Sequence, residues 1–142
     1  REDNTVLFGI SPSGNIDNNY KIGADVKTWC AIDGYIDYIC PQLYYSYDSE
    51  TLNYTDALNQ WLALPRHDSL DMVIGLALYK AGTDVDEGTW QVGSDIIKRQ
   101  IEQAREVDCA GVVLYSSEYL QKEETRKEVE NAMAVILPRE PD

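Results

Sequence analysis

Residues 71–79 read DMVIGLALY, and this stretch decides the fold. It is almost wholly apolar, which is typical of a strand in a parallel sheet whose two faces are both covered. Alternate positions differ in size, so that one face is small and the other is bulky and aliphatic. Small side chains suit the crowded interior of a barrel, and bulky ones suit the outer face that meets helices. The small set is Val73, Gly75, Ala77 and Tyr79, and the bulky set is Met72, Ile74, Leu76 and Leu78.

Three further runs of strand-forming residues lie on either side of this stretch. Thr5–Pro12 reads TVLFGISP, Ile36–Tyr44 reads IDYICPQLY and Gly111–Ser116 reads GVVLYS. The four runs begin about 31 to 40 residues apart, the spacing of right-handed strand–helix–strand units. The sequence therefore predicts an α/β fold with a (βα)4 parallel sheet in a single domain of residues 1–142.

Four helices are predicted in the segments that connect and follow the strands. Asp25 is expected to cap a short helix that Gly34 stops, and a second helix covers 56–64. Ser94 is expected to cap the third, and the last spans 125–137. The segment before Asp25 is predicted to be a polar loop.

Two architectures fit a (βα)4 chain: an open doubly wound sheet, and half of a TIM (β/α)8 barrel. The nucleotide-binding patterns GxGxxG and GxxxxGK[ST] do not occur in the sequence. None of the four strands ends in the aspartate that a phosphate-accepting regulatory domain needs. Together with the small inner face of residues 71–79, these observations favour half a barrel.

The charge of the chain narrows the classes of partner. Twelve Lys and Arg residues stand against 25 Asp and Glu residues, a net charge of −13. Such a field repels phosphate and anionic lipid, so we expect neither a nucleic-acid nor a membrane partner.

The cysteine count is odd, at three, and includes no CxxC pair. This pattern indicates no zinc site, and we expect no metal and no cofactor.

Four blocks of sequence together resemble a known family. They are FGISPSG at Phe8–Gly14, IDYICPQLYYSYD at Ile36–Asp48, IGLALYK at Ile74–Lys80 and GVVLYSSEYL at Gly111–Leu120. In this order and spacing they resemble the C-terminal half of the glycosyl-hydrolase-like family 10 proteins, which are bacterial cell-envelope TIM barrels. The resemblance implies that the blocks are barrel strands five to eight. It also implies an extracellular or cell-envelope location and a carbohydrate ligand.

One family feature has no counterpart in this sequence. Family members carry an Asp-rich segment, of the form DDYF-P, on the strand before FGISP, and residues 1–142 contain no such segment. A whole barrel typically needs ~250 residues. We therefore expect this polypeptide to be a fragment of a glycoside hydrolase-like protein. If the Asp-rich segment carries the principal catalytic carboxylate, the fragment is inactive alone.

Barrel active sites form at the carboxyl ends of the strands, a surface we call the mouth. Glu118, two residues after the fourth strand, is the candidate catalytic carboxylate, because glycoside hydrolysis needs two such groups. The alternative is an acid that favours a helix start. Ser116, in the same segment, is a candidate for binding substrate, as is Ser11 at the end of the first strand. Ser11 is alternatively a purely structural strand end.

Three further side chains are candidates for holding a sugar. Gln42 has an amide that can donate to and accept from a hydroxyl, or it can satisfy loop backbone. Tyr44 shares its face of the strand. Tyr79 is expected either to point into the mouth or to form a lid over the core. Trp90 is a platform for a sugar ring or a loop plug. Lys80 and the acidic run 84–87 are expected to be solvated.

Two functions from different classes follow. The first is acid/base hydrolysis of a bacterial polysaccharide by the parent protein. The second is a non-catalytic carbohydrate-binding module that uses the same mouth. Half a barrel has two apolar edges, at Thr5–Pro12 and Gly111–Ser116, so a homodimer that completes eight strands is also expected.

Overall fold

The protein is a four-stranded parallel sheet covered by helices on one face. The computed structural model describes residues 5–136. The strands are ordered β1-β2-β3-β4, as they occur along the chain, and all pairs are parallel. The predicted α/β class and the all-parallel sheet are confirmed, and the architecture is consistent with half of a (βα)8 barrel. The strands are β1 (Gly9–Ile10), β2 (Tyr38–Ile39), β3 (Asp71–Leu76) and β4 (Gly111–Leu114).

The strands are shorter than the sequence predicts. Regular pairing of β2 stops before Pro41, because proline has no N–H to donate to a neighbouring strand. Single bridges of Gln42 to Ser13 and to Gly75 continue the sheet beyond that point. β3 ends early because Leu78–Lys80 forms a 3-10 turn.

Five α-helices connect or follow the strands within the described residues. The first was not predicted, and the expectation of a polar loop there is wrong. Asn15 caps this six-residue helix by accepting from the N–H groups of Asp17 and Asn18, and such a short element shows no apolar period. The last predicted helix is confirmed to residue 136, and residue 137 lies outside the described residues. The helices are α1 (Ile16–Lys21), α2 (Val26–Ala31), α3 (Tyr54–Leu62), α4 (Ile96–Arg105) and α5 (Arg126–Ile136).

The two faces of the sheet differ only in part as the size pattern predicts, because Gly75 and Ala77 of the small set are buried too. Met72, Ile74 and Leu76 are fully buried in the core, beside the helices. On the opposite face Val113 is 47% exposed. Gly9 lies on that face directly beneath the ring of Tyr38, and a Cβ there would lie 2.1 Å from the ring. Within residues 5–136 no helix combines the length and the apolar character needed to cross a bilayer.

The amino end of α4 is capped from a distance. Ser94 was expected to be the cap, but the N-cap residue is Asp95 and its side chain makes no capping bond. Instead, the carboxylate of Glu128 on α5 accepts from the backbone N–H groups of Ile96 and Ile97, at 3.1 and 3.0 Å. Both isoleucines are buried, so water cannot replace this acceptor. Capping rules consider only neighbouring residues, so they cannot predict a contact between residues 31 positions apart in sequence.

We expect Glu128→Ala to lower the free energy of unfolding by about 2 kcal/mol, because two buried N–H donors lose their acceptor. Asp95→Ala removes a carboxylate at the same helix end that caps nothing, and should cost less than about 0.5 kcal/mol. Urea denaturation of both variants measures the difference. Equal losses would show that Glu128 is not the cap that matters.

Both edges of the sheet and its open face carry exposed apolar groups. Leu7 and Phe8, beside β1, are 73% and 55% exposed, and Val113 lies exposed on β4. Soluble monomers rarely leave such edges and faces uncovered. We propose that two copies of residues 1–142 pair edge to edge into an eight-stranded barrel.

Multi-angle light scattering tests this assembly. We expect twice the mass of one copy at micromolar concentration. Raising the salt concentration should favour the dimer, because each copy carries a net charge of −13. A stable single copy at every dilution and salt concentration would contradict the proposal.

Candidate functional site

Three tyrosine rings meet at the mouth, one from each of the last three strands. Tyr44 follows β2, Tyr79 follows β3 and Tyr115 follows β4. The ring of Tyr44 stacks on that of Tyr115 with centroids 5.8 Å apart, and meets that of Tyr79 edge-on at 5.9 Å. Tyr79 and Tyr115 are also edge-on, at 5.9 Å. We call Tyr44, Tyr79 and Tyr115 the tyrosine cluster.

The backbone fixes the cluster from two sides. The N–H of Tyr115 donates to the carbonyl of Leu76 at 2.9 Å, and its carbonyl accepts from the N–H of Tyr79 at 3.1 Å. Ring pairs at these separations add about 0.5–1.5 kcal/mol each beyond the area they bury. The tyrosine cluster is therefore a rigid group, in which Tyr44 and Tyr79 are half-buried.

Tyr44 stays protonated over the whole physiological range. Burial raises the pKa of Tyr44 to about 12, and the neighbouring Cys40, Tyr79 and Tyr115 act in the same direction. Its hydroxyl therefore remains a neutral donor and acceptor, which suits a partner such as a sugar hydroxyl.

Gln42 and Ser11 lie in contact in the structure. The Gln42 side-chain amide donates to the Ser11 carbonyl at 2.9 Å and lies 3.3 Å from its hydroxyl. This contact matches the interpretation in which the glutamine satisfies backbone and ties β1 to β2. That either residue binds a sugar hydroxyl stays a prediction.

Glu118 lies on the 3-10 turn Ser117–Leu120, directly after β4. Its side chain is exposed, and within the described part of the chain no hydrogen bond or ion pair holds it. Ser116 begins the turn, and its carbonyl accepts from the N–H of Tyr119. Among residues 5–136 no cluster of three or more His, Cys, Asp and Glu side chains is arranged to hold a metal ion.

Trp90 does not present a face to the mouth. It is fully buried, and its indole N–H donates to Asp86 Oδ2 at 2.9 Å. Because a ring enclosed by protein has no free face for a sugar, this position favours the loop-plug interpretation. The sequence could not separate the two, since a loop tryptophan fits both.

Lys80 is not the solvated side chain that the sequence predicts. Its ammonium group donates to the Tyr44 carbonyl at 3.1 Å and to Asp86 Oδ2 at 2.7 Å. The alternation of side chains along a strand does not apply to Lys80, because the 3-10 turn at 78–80 rotates it back toward the protein. The Lys80–Asp86 pair thus joins the loop after β3 to the backbone beside the tyrosine cluster.

Asp86 anchors that loop through a single oxygen. Partial burial acts to raise the pKa of Asp86, but hydrogen bonds from Lys80 and Trp90 outweigh it and hold that pKa below its ordinary value. Asp86, Glu87 and Gly88 all have positive φ angles, between 52° and 76°. The two non-glycine residues are strained there, so the anchor holds a conformation that the loop would otherwise leave.

Two surface cavities are lined by none of the three residues of the tyrosine cluster. One of about 490 Å³ runs along the polar side of α3, between Asn53 and Ala63. Another, of about 210 Å³, lies between the loops that follow β2 and β3 and includes Glu50, Asp86 and Glu87.

Comparison with known proteins identifies the family of this chain. The model of the family glycosyl hydrolase-like 10 matches residues 3–92. The chain belongs to this family. The glycosyl hydrolase DigH of Escherichia coli K12 is 27% identical to it, as are the proteins of the same name from Escherichia coli O157:H7 and Shigella flexneri. Each alignment covers 87% of this chain. The family resemblance drawn from the four sequence blocks is confirmed.

The family model covers only part of the candidate site. The chain spans 32% of the length of these curated relatives. The family match includes Gln42, Tyr44 and Tyr79 but ends before β4. The candidate roles of Tyr115 and Glu118 therefore depend on their position in the fold.

We predict that the Asp86 anchor makes the stability of the protein sensitive to acid. Because the folded pKa of Asp86 lies below its unfolded value, its contribution is present above the unfolded pKa and is lost as pH falls through the folded one. The free energy of unfolding of wild type should therefore converge on that of Asp86→Asn between about pH 5 and pH 2. The exposed neighbour Asp84 provides the control variant Asp84→Asn, which should track wild type. A constant gap between wild type and Asp86→Asn would contradict the anchor.

Proposed function

We propose that this chain forms part of the active-site mouth of a glycoside hydrolase that acts on a bacterial polysaccharide outside the cytoplasm. The observation that carries the proposal is an exposed carboxylate, Glu118, on the turn that directly follows the Tyr115 end of the tyrosine cluster. Membership of a glycosyl hydrolase-like family and the bacterial origin of the named relatives support it.

The proposed reaction is acid/base hydrolysis through an oxocarbenium-like transition state, which needs two carboxyl groups. Glu118 serves as one of them, either protonating the leaving oxygen or assisting the attack on the sugar carbon. The second comes from the Asp-rich segment that the family resemblance places before FGISP. Residues 1–142 contain no such segment, so the polypeptide alone is proposed to be inactive.

Binding of the sugar chain is proposed to fall to the uncharged groups of the mouth. The tyrosine cluster supplies flat apolar faces and hydroxyl groups, a combination that suits sugar rings. Ser11 directly follows β1, and Gln42 and Ser116 lie three and two residues beyond the ends of β2 and β4. Their hydroxyl and amide groups both donate and accept, as sugar hydroxyls do.

Turnover by the full-length protein and by residues 1–142 tests the proposal, with aryl glycosides and purified bacterial cell-wall glycans as substrates. We expect turnover by the full-length protein and none by residues 1–142. Glu118→Gln in the full-length protein should lower kcat at least 100-fold, the usual contribution of a general acid or base. Glu130→Gln, on the exposed side of α5, is the matched control and should leave kcat unchanged.

Two results would overturn parts of this account. Full activity in Glu118→Gln would remove Glu118 from catalysis. Turnover by residues 1–142 that Glu118→Gln abolishes would show that the carboxylates of this chain suffice.

A further inference from the structure

Tyr115 is the exposed member of the tyrosine cluster. Its residue surface is 54% exposed, whereas Tyr44 and Tyr79 are half-buried. Sequence reasoning singled out its neighbour Ser116 and passed over Tyr115. The alternation of GVVLYS could have identified it, because Val113 and Tyr115 share the open face of β4.

The ring of Tyr115 is held in place although it is exposed. Tyr44 stacks against it at an interplanar angle of 22°, and Tyr79 meets it edge-on at 86°. The backbone N–H of Tyr115 donates a hydrogen bond to the carbonyl of Leu76, and its carbonyl accepts one from the N–H of Tyr79. An exposed aromatic side chain usually keeps its rotamer freedom, and a ligand that stacks on it must remove that freedom. Here the fold has already removed it, which makes the ring a preorganised platform.

The charges around the cluster indicate which sugars fit. The ammonium group of Lys80, 5.9 Å from the Tyr79 ring centroid, is neutralised by Asp86. Lys122 lies over the ring of Tyr119, whose centroid is 6.1 Å from that of Tyr79. The exposed carboxylate of Glu118 follows Tyr115 by three residues. A sugar that carries a carboxylate would meet this acid directly beside Tyr115, on a chain whose net charge is −13.

We propose that the open face of Tyr115 is a stacking subsite for an uncharged pyranose ring, and that Tyr44 is the positioning residue that holds it. The inference rests on the proposed function and deepens it. It names a binding residue beyond those the sequence identifies and the charge class of the sugar.

Calorimetry on the full-length protein tests the subsite, with chitohexaose as an uncharged probe and oligogalacturonate as an anionic one. We expect chitohexaose to bind and oligogalacturonate to bind at least 10-fold more weakly. Tyr115→Ala should weaken the binding of chitohexaose about 10-fold, the loss expected for one aromatic stacking contact. Tyr115→Phe keeps the ring and should stay within about 3-fold of wild type. Tyr35→Ala removes another exposed tyrosine, at the opposite end of the strands, and should have no effect.

The outcomes separate this inference from the proposed function. Wild type that binds neither probe and turns over no glycan would count against the proposed function itself. Wild type that binds chitohexaose, with Tyr115→Ala binding equally well, would overturn the subsite alone. A loss of folding stability in Tyr115→Ala without a loss of affinity would assign the ring to packing and overturn the subsite too. Equal affinity for the two probes would overturn the charge assignment.

Discussion

The structure depends on the burial of the bulky face of β3. Its bulky positions, Met72, Ile74 and Leu76, are fully buried beside the helices, whereas on its small face Val73 is half-buried and Gly75 is buried. This arrangement fixes the register, because a slip of one residue would move every bulky side chain to the wrong face. It also fixes the relative positions of the strand ends. The rings of Tyr44, Tyr79 and Tyr115, which lie beyond those ends, are thereby brought into contact. The candidate site is thus a consequence of how one strand packs.

The same constraint explains what could be predicted from the sequence. Hydrophobic runs and their spacing are local, so the parallel sheet, its order and four of the five described helices follow from residue patterns. The six-residue α1 has no apolar period to detect. The cap of α4 depends on Glu128, which the chain brings back from α5 only after folding. Local patterns predict elements well and contacts between distant elements poorly.

The site was predicted unevenly for similar reasons. Tyr44 and Tyr79 could be placed at the mouth, because they end strands on a known face. Lys80 could not, because a 3-10 turn interrupts the alternation on which its assignment depended. Trp90 was ambiguous, and only its burial and its bond to Asp86 distinguish a plug from a platform. Aromatic residue type alone carries little information about function, and exposure together with rigidity carries more.

The central claim is that the carboxyl ends of these strands hold a glycan chain with Tyr115 beneath a sugar ring and Glu118 beside a glycosidic bond. A crystal structure of the full-length protein with a bound uncharged oligosaccharide tests it most directly. The account predicts one pyranose ring stacked on Tyr115 and a Glu118 oxygen about 3 Å from a glycosidic oxygen. An oligosaccharide bound elsewhere, or a Tyr115 ring covered by protein, would contradict it.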